Sequence, residues 1–153
     1  MQNKSPRHLS RNLAVQGIYS IKINQCTVSE IEDFLRSINS TIFDNANYQL
    51  MHELIEQTLN NFSANVELYT PYLNRKIDEI NLIEQVILAL AATELQNNLS
   101  VPATVVINEA IELTKLYGAE DSYKFINGLV DKLAHEIRKS EMSTQKSYPK
   151  RSK

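Results

Sequence analysis

Residues 82–95 read LIEQVILALAATEL, and the fold is decided by how that stretch is satisfied. Apolar side chains fall on nearly every face of a 3.6-residue period, which marks a central helix with neighbours all round. Downstream, Pro102 suits the first turn of a helix and Gly118 the left-handed position just past its end. Val106, Ala110, Leu113 and Tyr117 form its inward row. The next helix begins near Glu120 and Asp121, acids that favour the positive end of a helix dipole. Ile126, Val130, Leu133 and Ile137 then repeat at spacings of four, three and four.

Upstream, Ser63 can cap a short helix through Val66, Tyr69 and Leu73, which Pro71 should kink or end. Asp44 can cap a helix whose buried stripe is Met51, Leu54, Ile55, Leu59 and Phe62. Thr27 followed by Glu30 is a capping-box pattern, with Ile31, Phe34, Leu35 and Ile38 behind it at helical spacing. A first helix starts near Arg7, with Leu13, Ala14, Gly17, Ile18 and Ile21 on one side. The reading is all-α: seven helices with short connections, no strand candidate and no internal repeat. Residues 1–139 form one domain, with a seam at Phe62–Ser63 between sub-bundles of about 1–62 and 63–139. After Ser140 the chain turns polar and basic, and residues 140–153 are expected to be a disordered basic tail.

Composition narrows the function classes. A chain of 153 residues with 42% apolar and 22% charged residues can bury a core without a disulfide or metal staple. Three glycines, four prolines and no tryptophan argue against a turn-dense β-sandwich. Cys26 is the only cysteine, which excludes an internal disulfide and a CxxC zinc site. With no run of 18 apolar residues and no cleavable apolar leader, the expectation is a cytoplasmic protein with no membrane partner.

No feature of the sequence looks catalytic. None of His8, His52 and His135 has a glutamate three residues before it, so the Glu-x-x-His pairs of di-metal bundles are missing. His52 with Glu56, and Glu109 with Glu112, read as surface pairs rather than metal ligands, and Cys26 as an ordinary half-buried thiol. Gly17, Gly118 and Gly128 are too scattered to build a phosphate loop or a nucleophile elbow. No catalytic residue, metal or cofactor is assigned.

Charge is more informative. The net charge of −2 hides a sum of +4 over residues 1–29, −9 over 30–139 and +3 over 140–153. On a helix Arg7, His8, Arg11 and Lys22 fall within about 100° of arc, and Lys4 can reach the same side. Cations at a helix N-terminus oppose the dipole, so their presence points to an anionic partner. Phe125, off the inward row of its helix and beside Lys124, suits stacking on a splayed base.

Three blocks of sequence then resemble one family. Residues 101–138, VPATVVINEAIELTKLYGAEDSYKFINGLVDKLAHEIR, are similar to the C-terminal signature of the NusB family of transcription antitermination factors. RNLAVQGIYSIKI (Arg11–Ile23) resembles the family's first helix, and PYLNRKIDEINLIEQVILALAATEL (Pro71–Leu95) its central region. The resemblance runs over residues 4–139. It implies two small helical bundles packed at an angle, and no enzymatic activity. The implied function is binding of single-stranded boxA RNA together with NusE, a ribosomal protein of the small subunit. That pair promotes processive transcription of ribosomal RNA operons, within an elongation complex of RNA polymerase and other Nus factors.

By the same resemblance, the RNA-binding residues are Arg7, His8, Arg11, Asp121, Lys124 and Phe125, to which Lys4 is added for its reach to the same side, and the partner-binding residues are Tyr19, Asp78 and Glu84. It leaves room for a homodimer, since some family members self-associate. The alternative is a helical RNA- or protein-binding adaptor related to the accessory domain of ribosomal RNA cytosine methyltransferases. The chain length disfavours an attached methyltransferase domain.

Overall fold

A computed structural model describes residues 4–146, with side chains through residue 144. The described residues are all-helical, in nine α-helices rather than seven. They are α1 (Pro6–Asn24), α2 (Val28–Ile38), α3 (Ser40–Asn45), α4 (Tyr48–Asn60), α5 (Phe62–Tyr69), α6 (Leu82–Asn97), α7 (Ala103–Tyr117), α8 (Ser122–Ile137) and α9 (Lys139–Lys146). Two 3-10 turns, Thr70–Tyr72 and Ile77–Glu79, separate α5 from α6.

α6 is the predicted central helix, buried continuously from Val86 to Leu95. It packs against α1 and α4 on one side and α5, α7 and α8 on the other. A fully buried leucine or isoleucine stabilises by about 1.5–3 kcal/mol, so Ile87, Leu88, Leu90 and Leu95 account for much of the cohesion. Helices α1–α4 pack chiefly among themselves, α5–α9 likewise, and both groups meet on α6. Gly17 lets α1 come close to its neighbours: an added Cβ would sit 3.2 Å from Ile55 Cδ1 and 3.5 Å from Leu35 Cδ1.

Local signals were met in some places and displaced in others. The Thr27–Glu30 capping box forms in full, with both reciprocal hydrogen bonds. Asp44, expected to cap the third helix, instead lies inside the short α3. Asn47 caps α4, its Oδ1 accepting from Leu50 N at 3.0 Å. α5 begins at Phe62, one residue before the expected Ser63 cap, and Pro71 falls in a 3-10 turn. Gly118 is extended, not left-handed, at φ −86° and ψ 178°. It is required by space: an added Cβ would lie 2.9 Å from Glu84 Oε2 and from the Thr114 carbonyl. The left-handed residue is Asp121, at φ 69°, whose side chain caps no N–H of α8.

The expected tail is also corrected. Residues 139–146 form α9, held by Arg138, Glu141 and Met142. Arg138 donates to the carbonyls of Glu94, Leu95, Asn98 and Val101, closing the C-terminus of α6, and pairs with Glu141 at 2.7 Å. Glu141 in turn accepts from Ala103 N at the start of α7. That bond, with Arg138, holds the Glu141 carboxyl below its usual range. Met142 is buried. Composition alone could not reveal a helix stabilised by one capping carboxylate and one buried methionine. Residues 147–153 of the expected tail lie outside the described residues.

Candidate nucleic-acid interface

The N-terminal turn of α1 is set by Ser5, whose hydroxyl accepts from His8 N, and by Pro6 at the first helical position. Four of the predicted RNA-binding residues stand here, and the structure divides them. Lys4 and Arg7 are exposed and make no ion pair among the described residues. His8 is half-buried, its Nδ1 2.8 Å from Glu109 Oε1 on α7, so any charge it carries is already balanced by a carboxylate.

Arg11 is a correction. One turn beyond Arg7, it is only 2% exposed. Its Nε and Nη2 donate to Glu94 Oε1 and Oε2 of α6 at 2.7 and 3.0 Å. This bidentate pair, 3% and 2% exposed at its side chains, engages two of the five guanidinium N–H donors, and burial withholds the rest of the group from a phosphate at the surface. Lys22, on the same predicted arc, lies about 22 Å along the axis from Arg7. Its ammonium sits over the Phe62 ring, 4.0 Å from the centroid. Lys22 keeps its charge but stands too far along the helix to join the N-terminal cluster, so the cationic ridge at the start of α1 contracts to Lys4 and Arg7.

Beside it runs an open groove of about 810 Å³. It is lined by Lys4, by His8 and Asn12 of α1, by Ile42 and Asn45 of α3, and by Glu112, Lys115 and Leu116 of α7. Lys115 is an exposed cation that sequence reasoning missed, because its row on α7 carries no basic cluster.

At the first turn of α8, Asp121 and Lys124 are exposed and Phe125 is half-buried. The Phe125 ring is covered by Arg75, whose Cζ stands 4.4 Å from the centroid. Arg75 comes from the loop between the two 3-10 turns, fifty residues upstream, and has no carboxylate partner among the described residues. Its approach to Phe125 is tertiary and left no local mark in the sequence. On the other flank of α8, Lys115 Nζ lies 4.9 Å and Lys124 Nζ 6.0 Å from the centroid of Tyr123.

The predicted partner-binding residues also divide. Tyr19 is 37% exposed and lines an apolar groove of about 470 Å³ with Phe34, Ile38, Ile83 and Tyr117. Asp78 is exposed in its 3-10 turn. Glu84 is the second correction: it is 4% exposed, and its Oε2 accepts from Ala119 N at 2.9 Å. Its carboxylate is spent fastening the α7–α8 turn to α6 and is not displayed to a partner.

Among the described residues no three His, Cys, Asp or Glu side chains are placed to hold a metal ion. His52 meets Glu32 through Nδ1 at 2.6 Å and Glu56 through Nε2 at 3.6 Å. With opposite ring nitrogens engaged, the two carboxylates cannot share one metal with it. No helix among the described residues is long and apolar enough to cross a membrane.

Comparison with known proteins agrees with this architecture over nearly its full length. A transcription antitermination protein NusB of Aromatoleum aromaticum is 38% identical over 147 residues, covering 96% of this chain and 100% of that protein. One from Pasteurella multocida is 44% identical over 131 residues, 85% of this chain and 89% of its own. The solved structure of T. maritima NusB superposes with a TM-score of 0.74 at 25% identity, covering 92% of this chain and 99% of that one. With the sequence model of the NusB family matching residues 8–135, the chain belongs to the NusB family.

Proposed function

We propose that this protein is a transcription antitermination factor. In this reading it binds single-stranded boxA RNA together with the ribosomal protein NusE and promotes processive transcription of ribosomal RNA operons. It works in the cytoplasm as an adaptor, with no catalytic step, joining RNA and NusE to the polymerase and other Nus factors. The observation that carries the reading is the set of cations not neutralised by carboxylates. Lys4 lines the groove, Arg7 is exposed in the first turn of α1, and Arg75 covers Phe125 with Lys124 next to it in the chain. Phosphate contacts position a strand and base contacts specify it. Here lysines and Arg7 supply the first, and Phe125 with its guanidinium cover the second.

The acidic middle of the chain suits a basic ribosomal protein. The groove lined by Tyr19, Phe34 and Ile38 supplies apolar area for it, and Asp78 an exposed carboxylate. With about two phosphate contacts from the arm, the arm's share of the salt slope is near −1.4, at roughly 0.7 per contact for single strands. RNA affinity without NusE is therefore expected to be modest. The test is a fluorescence titration of labelled boxA RNA against a shuffled oligomer, with and without NusE. Tighter binding of boxA in the presence of NusE is expected. Equal binding of both RNAs, or none, would overturn the reading. Sedimentation velocity on the same samples reads whether a second copy covers the arm.

A further inference from the structure

The first turn of α8 carries two aromatic rings, and the helix sends them to opposite flanks. At about 100° per residue, Tyr123 and Phe125 are separated by roughly 200° measured over the outer side, with Lys124 on the crest between them. Phe125 faces the loop that holds Arg75. Tyr123 faces α7, where Lys115 Nζ lies 4.9 Å from its centroid. Lys115 also stands on the wall of the groove that Lys4 and His8 line. One side chain therefore borders both the α1 arm and the Tyr123 ring.

Neither Lys115 nor Lys124 forms an ion pair among the described residues, although Glu112 lies one turn before Lys115 on α7. Both cations rest on an aromatic face instead. A ring attracts a cation through its quadrupole without cancelling its charge, so the ammonium groups keep their N–H donors for another anion. Tyr123 is half-buried, which holds the ring in place while leaving part of it open.

We propose that Lys115 and Tyr123 form a second nucleotide platform, which continues the RNA track from the α1 groove across the first turn of α8 to Phe125. One base stacks on Tyr123 and the phosphate of the same nucleotide meets Lys115. The strand then crosses the crest at Lys124 and reaches the Phe125–Arg75 pair. This inference rests on the RNA-binding reading above and assigns it two residues that neither the α1 arm nor Phe125 implies. A ring with a cation beside it is the arrangement by which single strands are held without strong sequence preference. The platform is expected to add affinity rather than selectivity.

The experiment uses the full chain with NusE and labelled boxA RNA, comparing wild type, Tyr123→Leu and Lys115→Gln across a salt series. Loss of one stacked base corresponds to about a fivefold or greater weakening, and this is expected for Tyr123→Leu on boxA and shuffled RNA alike. Lys115→Gln should weaken binding and flatten the salt slope by about 0.7. Lys115 is exposed, so this variant tests the platform even if Tyr123→Leu perturbs α8, which urea denaturation would show. Wild-type binding with either variant unchanged would overturn the platform, because its two halves act on one nucleotide, and would leave the RNA reading standing. Absence of wild-type binding would overturn both.

Discussion

The first turns of α1 and α8 both gather basic residues, but they treat the charge differently. On α1, Arg11 is locked to Glu94 and His8 to Glu109, so two of four cationic candidates are neutralised inside the fold. Around α8, Arg75, Lys115 and Lys124 lie against Phe125 and Tyr123. A carboxylate partner consumes a charge, whereas an aromatic partner positions it and leaves it available. A count of lysines and arginines along a helix therefore overstates its attraction for phosphate unless the partner of each is known.

The largest effect that could break this contrast is at Arg11. Removing one member of a buried ion pair leaves an uncompensated charge, at a cost of about 3–5 kcal/mol. Arg11→Ala should show that loss in urea denaturation. The double variant Arg11→Met with Glu94→Leu should recover most of it, because the pair's desolvation cost disappears along with the pair. A fully stable Arg11→Ala with weakened RNA binding would put Arg11 back among the phosphate contacts.

Glu84 comes next. Glu84→Ala removes the carboxylate that accepts from Ala119 N–H, and the loss of a hydrogen bond to a charged group costs about 1.5–3 kcal/mol. The α7–α8 turn carries the first turn of α8, so RNA affinity should fall in parallel with stability in the same preparation. A loss of NusE binding at unchanged stability would contradict the structural role assigned to this carboxylate.

Arg7→Ala should do the reverse of Arg11→Ala. Its stability should stay within about 0.5 kcal/mol of wild type, while the salt slope of RNA binding flattens by about 0.7. An unchanged slope would mean that even the exposed part of α1 does not touch the strand.

The smallest effect sharpens the comparison at a third place, where α2 meets α4. Glu32 accepts from Tyr48 Oη at 2.7 Å and holds His52 Nδ1 at 2.6 Å. The hydrogen bond to Glu32 raises the His52 pKa, helped by the charges of Glu56 and Glu53. A histidine whose folded pKa is raised contributes stability that is fully present below its unfolded value of about 6.5 and lost as pH rises through the folded value. Thermal melts between about pH 5.5 and 8.5 should show this loss in the wild type, and His52→Gln should remove it. The same slope in both proteins would show that His52 is not the group that titrates.

Much of the fold could be read before any coordinates. The all-round apolar run of α6, the capping box at Thr27 and Glu30, and the inward row of α8 are local periodicities, and local periodicity survives in a single chain. What escaped had remote causes. Asn47 rather than Asp44 caps α4, because the Ser10 hydroxyl on α1 donates to the Asn47 carbonyl and accepts from its N–H. Gly118 looked like a left-handed residue but is a spacer for Glu84. α9 looked like a polar tail because only Met142, Glu141 and their distant partners make it a helix. At the interface, Lys4, Arg7 and Phe125 were legible as residue types, whereas Arg75 and Lys115 entered only through contacts across helices.

The amino-acid order by itself determined the all-α class and most of its helices, though not α3 or α9, together with the helix that lies in the centre and the basic N-terminal arm over an acidic body. Those properties follow from side-chain period and charge, which depend on near neighbours in the chain. Tertiary packing alone decided which charges remain for a ligand. Arg11 meets Glu94 across 83 residues and Arg75 meets Phe125 across fifty, and only their burial, and the kind of group each rests on, separates a neutralised charge from an available one.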